Sequence, residues 1–349
     1  MCRNFALALT IAAAGVASAA DKPAPVAAKT VALKAAGTLS DTLTEVAKQT
    51  GTAFDLTAAD GTAKVNANFN NVPFWAAVEA VADQAGCFVS VSGDKVRLGK
   101  RPKGVAAVPS GIDGPFRVVL KKVIARRDPE LPDAEYELHL EVQWEPRFPV
   151  YLIDTEPKAT ATAGLQKLTA DAASVRVIPT GYSHSAVVRL KNVPREAKQL
   201  DELTGSFRVV AAAKMLSVEF ADLTGDKPVS QAVEGVTVTL HPVKKTAKRA
   251  EFRVELEYPA THPEFESFQQ WSGTNQFRLH PPTDRAGLPP TDYSASESGR
   301  RVRSDYSFAG PNGTAFTLPD LKGWRVVYQT PCPMAEQEVK FTLKAVVLP

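Results

Sequence analysis

The chain has 349 residues, 44% of them hydrophobic and 23% charged, with 26 Pro, 21 Gly and 3 Cys. That apolar share excludes wholesale disorder, and three cysteines exclude a disulfide-built scaffold. Lys plus Arg (41) nearly balances Asp plus Glu (38), a net +3 that argues against a nucleic-acid binder, which concentrates basic charge on one face. At roughly 150 residues per domain the length allows two or three domains, each with its own core.

Residues 1–20 read as a secretory signal peptide. Arg3 is the lone positive charge, an apolar run extends from Phe5 to Val16, and the small residues Ala17-Ser18-Ala19-Ala20 precede Asp21. A run of about a dozen apolar residues is too short for the ~20 of a spanning helix. Cys2 precedes the run rather than following it, which argues against a lipoprotein anchor. The expected address is therefore periplasmic or secreted, with no transmembrane segment in the mature chain. Cys87 and Cys332 remain, far apart in sequence; buried free thiols are the expectation and a disulfide the rival.

Residues 21–28 form a flexible leader rich in Ala, Pro and Lys, and a small α+β unit follows over 29–99. Val31, Leu33 and Ala35 alternate as a strand; Leu39, Leu43, Val46 and Ala47 follow helical spacing; Gly51 supplies a left-handed stop; Phe54 and Leu56 resume a strand. The order then recurs. Val65, Ala67 and Phe69 alternate, Pro73 suits a first helical turn, Phe74, Val78, Val81, Ala82 and Ala85 make a stripe, and Gly86 ends it. Two strand segments around Ser92-Gly93-Asp94 close the unit as a hairpin, for a βαββαββ order.

The stretches Leu39-Ser40-Asp41-Thr42-Leu43-Thr44-Glu45-Val46-Ala47-Lys48-Gln49-Thr50-Gly51 and Asn71-Val72-Pro73-Phe74-Trp75-Ala76-Ala77-Val78 carry a resemblance. In these residues the unit resembles the secretin and TonB short N-terminal domain of bacterial envelope proteins. The resemblance spans only residues 29–99, and in that family the module precedes an outer-membrane channel or receptor and makes protein–protein contacts. Here the Pro- and Gly-containing stretch 100–113 follows as a linker, so the resemblance implies an interaction role and not transport.

Beyond the linker the period of two dominates, and the expected fold is all-β: two tandem antiparallel β-sandwich domains over 114–224 and 225–349. Tyr136, Leu138, Leu140, Val142 and Trp144 alternate with polar residues in the first. Phe252, Val254, Leu256 and Tyr258 do so in the second. Gly205-Ser206-Phe207-Arg208-Val209-Val210 matches Gly323-Trp324-Arg325-Val326-Val327, and Leu216, Val218 and Phe220 match Val339, Phe341 and Leu343, so each repeat should end in equivalent strands. No Cys-Trp-Cys spacing marks an antibody domain, so "immunoglobulin-like" is analogy.

Chemical motifs are sparse. The histidines 139, 184, 241, 262 and 280 lack the i, i+4 spacing of a helical zinc site. His139 lies between Glu137 and Glu141, a solvated strand face with a metal stripe as its rival. Ser183 and His184 are neighbours whose side chains diverge on an extended backbone. There is neither a Gly-x-Ser-x-Gly elbow nor a phosphate-cradling loop. No catalytic, cofactor or metal residue is assigned. The basic run Lys244-Lys245-Thr246-Ala247-Lys248-Arg249 reads as a hairpin loop. Phe265, Phe268 and Trp271, spaced by three, are the candidate binding residues. Residues 281–303 read as a long polar loop, with Asp284, Asp292 and Asp305 scattered through this region.

These features predict an exported bacterial envelope protein, non-catalytic, with a protein-binding or scaffolding role. Its partner would be an envelope protein held by the 29–99 module or the sandwich loops. The alternative is a carbohydrate- or cell-wall-binding protein using the aromatic cluster on a cell-wall glycan, and an extracytoplasmic hydrolase with acids on the 281–305 loop comes third. No cofactor is expected.

Overall fold

The computed structural model describes residues 27–127, 130, 134–146, 150–171, 173–212, 214–221, 223–246, 249–260, 274–283, 287–309, 321–332 and 334–349. Among them the regular structure is mostly strand in antiparallel sheets, with two helices. No helix among the described residues is long and apolar enough to cross a membrane.

The N-terminal unit runs β1 (Thr30–Thr38), α1 (Leu39–Thr50), β2 (Ala53–Ala58), β3 (Lys64–Pro73), α2 (Phe74–Gln84), β4 (Cys87–Ser92) and β5 (Lys95–Lys100). Helix α1 starts where the Thr38 hydroxyl accepts the Asp41 N–H, 3.1 Å, satisfying one orphan donor of the first turn. It stops at Gly51, whose φ of 72° is left-handed and whose N–H returns to the Ala47 carbonyl. β1 pairs with β3, while β5 pairs with β4 antiparallel and with β2 parallel. Val31, Leu39, Leu43, Val46, Phe74, Trp75, Val78, Val81, Val96 and Leu98 fill one core between these sheets and helices.

The stretch expected as a linker over 100–113 is only partly one. Ser110–Asp113 forms β6, paired to β7 (Phe116–Arg127). The reason is local: Ser110, Gly111 and Ile112 can pair across the tight turn at Gly114 (φ 54°), and Ile112 also packs against the N-terminal core.

The strands that follow are β8 (Ala134–Trp144), β9 (Val150–Asp154), β10 (Lys158–Ala163), β11 (Gln166–Asp171), β12 (Arg176–Val177), β13 (Ser183–Val193) and β14 (Gln199–Ala212). The order β6-β7-β8-β13 continues through a corner, where β11 meets β13 at only Ala170–Leu190 and Asp171–Arg189, into β11-β10-β14. Alternate residues of both halves share one core that includes Tyr136, Leu138, Leu140, Trp144, Ile153, Leu190, Leu203 and Phe207.

Next come β15 (Met215–Phe220), β16 (Val229–Val233), β17 (Val236–Leu240), β18 (Lys244–Lys245), β19 (Arg249–Glu257), β20 (Gln276–His280), β21 (Asp292–Ser298), β22 (Arg301–Ala309), β23 (Arg325–Pro331) and β24 (Met334–Val347). One sheet has the order β16-β17-β19-β22-β21, with β18 on β19; the other is β15-β23-β20. They enclose a second core with Phe252, Val254, Phe277, Tyr306, Phe308 and Tyr328.

The last strand of each repeat sits elsewhere than expected. β24 pairs with β14 of the first core over a register running from Gln199–Val347 to Ala212–Met334, and it buries Val339, Phe341 and Leu343 there. β15 pairs with β23 and buries Leu216, Val218 and Phe220 in the second core. The boundaries 114–224 and 225–349 are thereby redrawn: the second core is an insertion between two strands of the first. Alternation of apolar residues states that each strand has a buried face but not whose core it faces. Two long strands of equal length gain more ladder by pairing with each other than with short neighbours. A small cluster of Tyr151, Leu152, Val210, Ala212 and Met334 fills the joint.

A second correction concerns residues 281–303. The long loop expected there contains β21 and leads into β22, a hairpin closed at Ser298–Arg301 around Gly299. Its serines and charges hid the strand, because β21 is exposed on both faces and lacks an apolar alternation.

Candidate functional site

The residues that join the N-terminal unit to the first sandwich border a concavity of the described structure. β7 begins Phe116-Arg117-Val118-Val119-Leu120, and all five residues are buried. Phe116, Val118 and Leu120 face the sandwich core, which turns Arg117 toward the N-terminal unit. A guanidinium 6% exposed must find partners. Its Nε donates to Glu79 Oε1 of α2 at 2.5 Å. Its Nη1 donates to Gln143 Oε1 of β8 at 2.8 Å and to the Val89 carbonyl of β4 at 3.3 Å. The Ser110 hydroxyl donates to the same Glu79 oxygen, and the guanidinium lies 5.9 Å from the Trp75 ring centre.

Two more contacts cross the joint. The Trp75 indole N–H donates to the Pro115 carbonyl at 2.9 Å. The buried Glu145 carboxylate accepts the Lys29 backbone N–H, 2.9 Å to Oε1. Helix α2, strands β4 and β6 and the ends of β7 and β8 are thus tied through side chains out of water.

Beside this joint opens a cleft of about 560 Å³. Its walls are α2, β4 and β5 on one side and β7 with the 107–110 segment on the other, with Val89, Val108, Val119 and Leu120 among its apolar lining. The rim is mixed in charge. Arg101 is paired to Asp83, donates to the Cys87 carbonyl and lies 5.8 Å from the Phe88 ring centre; Arg97 is 3.4 Å from Asp55, and Lys121 is 3.2 Å from Glu141. The Cys87 thiol lies in its lining, and burial pushes its pKa up, so it is a packed thiol and not an activated nucleophile.

The residues singled out from the sequence fall as follows. Phe265, Phe268 and Trp271 lie outside the described residues, as do the signal stretch 1–20, residues 21–26 of the leader, and Asp284. Asp292 and Asp305 come together across β21 and β22 in a groove of about 500 Å³ with His241, Lys244, Arg249 and Tyr293. Asp305 there is held by Arg253 at 2.7 Å. Lys244 and Lys245 form the short β18 on β19. His139 stands 3.7 Å from Glu137, which also pairs with Arg126 and Arg189. Ser183 and His184 are consecutive on β13, and burial pushes the His184 pKa down. Among the described residues no cluster of His, Cys, Asp and Glu is arranged to hold a metal ion. Cys87 and Cys332 are both free and buried.

Arg117, Glu79, Gln143, Glu145 and Trp75 as a joint escaped the sequence reading. One signal was present: a charge inside the apolar run Phe116–Leu120, and polar residues flanking Trp144, mark strands buried on both faces. Comparison with known proteins returns no match to a family model, a curated protein or a solved structure.

Proposed function

We propose that this chain is an exported bacterial envelope protein that acts without catalysis, as a binding or scaffolding protein whose 29–99 module, a short secretin/TonB-type domain, takes part in holding the partner. The observation that carries the reading is the joint just described. Arg117, Glu79, Gln143 and Trp75 lock the module onto the sandwich while leaving a cleft of about 560 Å³ that neither body has alone. A module that merely trailed on a linker would need no buried guanidinium. A groove with apolar lining and paired charges at its rim fits an extended segment of another protein. Export is supported by the Arg3, Phe5–Val16 and Ala17–Ala20 pattern.

The test is chemical cross-linking in the native envelope fraction, read by mass spectrometry. One or two reproducible protein partners linked through residues 29–121 would support the reading. Recovery with cell-wall glycan alone would replace it by the carbohydrate-binding alternative and direct attention to Phe265, Phe268 and Trp271.

A further inference from the structure

The two edges of the five-strand order in the second sandwich are treated differently. At one edge, β16 is tied to the opposing sheet: the Gln231 side chain donates to the Glu219 carbonyl of β15 at 2.6 Å. At the other edge, β21 (Asp292-Tyr293-Ser294-Ala295-Ser296-Glu297-Ser298) pairs only with β22 among the described strands. Every residue of it except the half-buried Glu297 is exposed, and Tyr293, on the face turned toward the core, keeps 53% of its surface in water. Among the described strands the opposing β15-β23-β20 sheet has three. Tyr293 is stacked on Tyr306 of β22, 6.1 Å between ring centres and 22° between planes. Within Asp292–Ser298 the strand has no Pro, no Lys and no register shift, and of the usual protections of an exposed edge it carries only the charges of Asp292 and Glu297.

The hydrogen-bond phase of this edge follows from the hairpin. Gly299, φ 59°, at the first of two turn positions makes Ser298–Arg301 the closing bonded pair. Ser296 and Ser294 then bond to β22 as well, and the main-chain groups of Ala295 and Tyr293 point away from it. The Arg300 carbonyl accepts the Tyr258 N–H and the Ser307 carbonyl accepts the Thr291 N–H, which places the odd-numbered residues of β22 toward β21 as this phase requires.

We infer that β21 is a self-association edge, on which a second copy of this chain adds its own β21 antiparallel, about a two-fold axis through Ala295, so that two sheets become one. A two-fold of this kind needs a residue with outward N–H and C=O at its centre, and Ala295 is one. The side chains agree. Ser294 falls opposite Ser296 of the second copy, the small Ala295 meets itself, and Tyr293 falls opposite Glu297 of the second copy. Asp292 falls opposite Ser298 of the second copy, so neither acid meets an acid. A foreign strand would have to supply this complementarity; a second copy has it by symmetry.

Sedimentation analysis of the purified protein from low to several hundred micromolar tests the inference. The wild type is expected to dimerise. Ala295→Lys sets two ammonium groups face to face across the axis and should weaken the dimer at least about tenfold, less so at high salt. Ala295→Pro removes the central outward N–H without touching a bond to β22 and should weaken it similarly, with circular dichroism unchanged. Register is read separately: Ala295→Cys should give a self-linked dimer with a short thiol cross-linker, and Ser296→Cys, which faces Ser294, should link far less. A monomeric wild type, a dimer indifferent to both Ala295 variants, or equal linking at the two cysteine positions would each overturn the inference.

Discussion

Replacing Arg117 by Met should loosen the N-terminal module from the sandwich without unfolding either. The side chain is 6% exposed and donates to Glu79, Gln143 and the Val89 carbonyl. Breaking a buried pair by removing one partner costs about 3–5 kcal/mol. Here the upper end does not apply, because Glu79 is 22% exposed on its side chain and keeps the Ser110 hydroxyl. The buried Gln143 oxygen, left without its donor, adds about 1–3 kcal/mol, and methionine refills most of the apolar volume. At least about 3 kcal/mol is therefore expected, directed at the joint.

Urea unfolding followed by tryptophan fluorescence provides the assay, because Trp75 and Trp144 are both buried in the two cores that meet there. Hydrogen exchange locates the loss: α2 and β4 amides should exchange at least tenfold faster while β19 and β22 amides keep their rates. The double variant Arg117→Met with Glu79→Gln should lose less than the sum of the singles, by about 1.5–3 kcal/mol if the pair is coupled as drawn. A loss below about 1 kcal/mol, or additive singles, would refute the reasoning that this guanidinium is what fixes the module.

Gly205 lies opposite Phe341 in the β14–β24 ladder, and a Cβ there would sit 2.5 Å from the phenyl ring and 3.0 Å from the Lys158 carbonyl. Gly205→Ala is therefore expected to destabilise by about 1–3 kcal/mol through overpacking, although alanine normally gains about 0.5–1 kcal/mol over glycine within a strand; an unchanged or raised Tm would show that the ring moves aside freely. Stability should also fall at alkaline pH. Burial pushes Tyr151 up to about 12 and the Cys332 thiol up to about 11, and it raises Tyr258 and Tyr328 further. These groups are neutral in both states at neutral pH. Unfolding releases protons once the pH passes the unfolded values of 9.0 for the thiol and 10.0 for the phenols. The folded state's advantage is thus full below pH 9 and declines upward through pH 11 and 12, by about 1.4 kcal/mol per pH unit for each group in its window. Urea titrations at half-unit steps from pH 8 should show that decline, shallower in Tyr258→Phe; a flat profile to pH 11 would contradict it.

Local chemistry was legible in the sequence wherever a short stretch decides its own conformation. Gly51 ends α1 because only a residue without Cβ turns left-handed there at no steric cost, whereas Pro73, expected in the first turn of α2, stands one place earlier as its N-cap with an extended ψ of 144° and closes β3. The alternation Tyr136 to Trp144 declared β8 and its buried face, since a strand against a core must be apolar at every second position. Other features were decided only by residues distant in sequence. β24 closes the first core and β15 the second, because ladder length and fit between faces choose partners and the hydrophobic period is the same for every candidate. Strand β21 has no buried face to announce it and exists through its pairing with β22. Arg117 is a charge in an apolar run whose partners, Glu79, Gln143 and the Val89 carbonyl, are brought to it only by folding. An isolated chain can state which residues avoid water; which of them meet, and what polar groups they must carry in with them, is settled only when the surfaces close on one another.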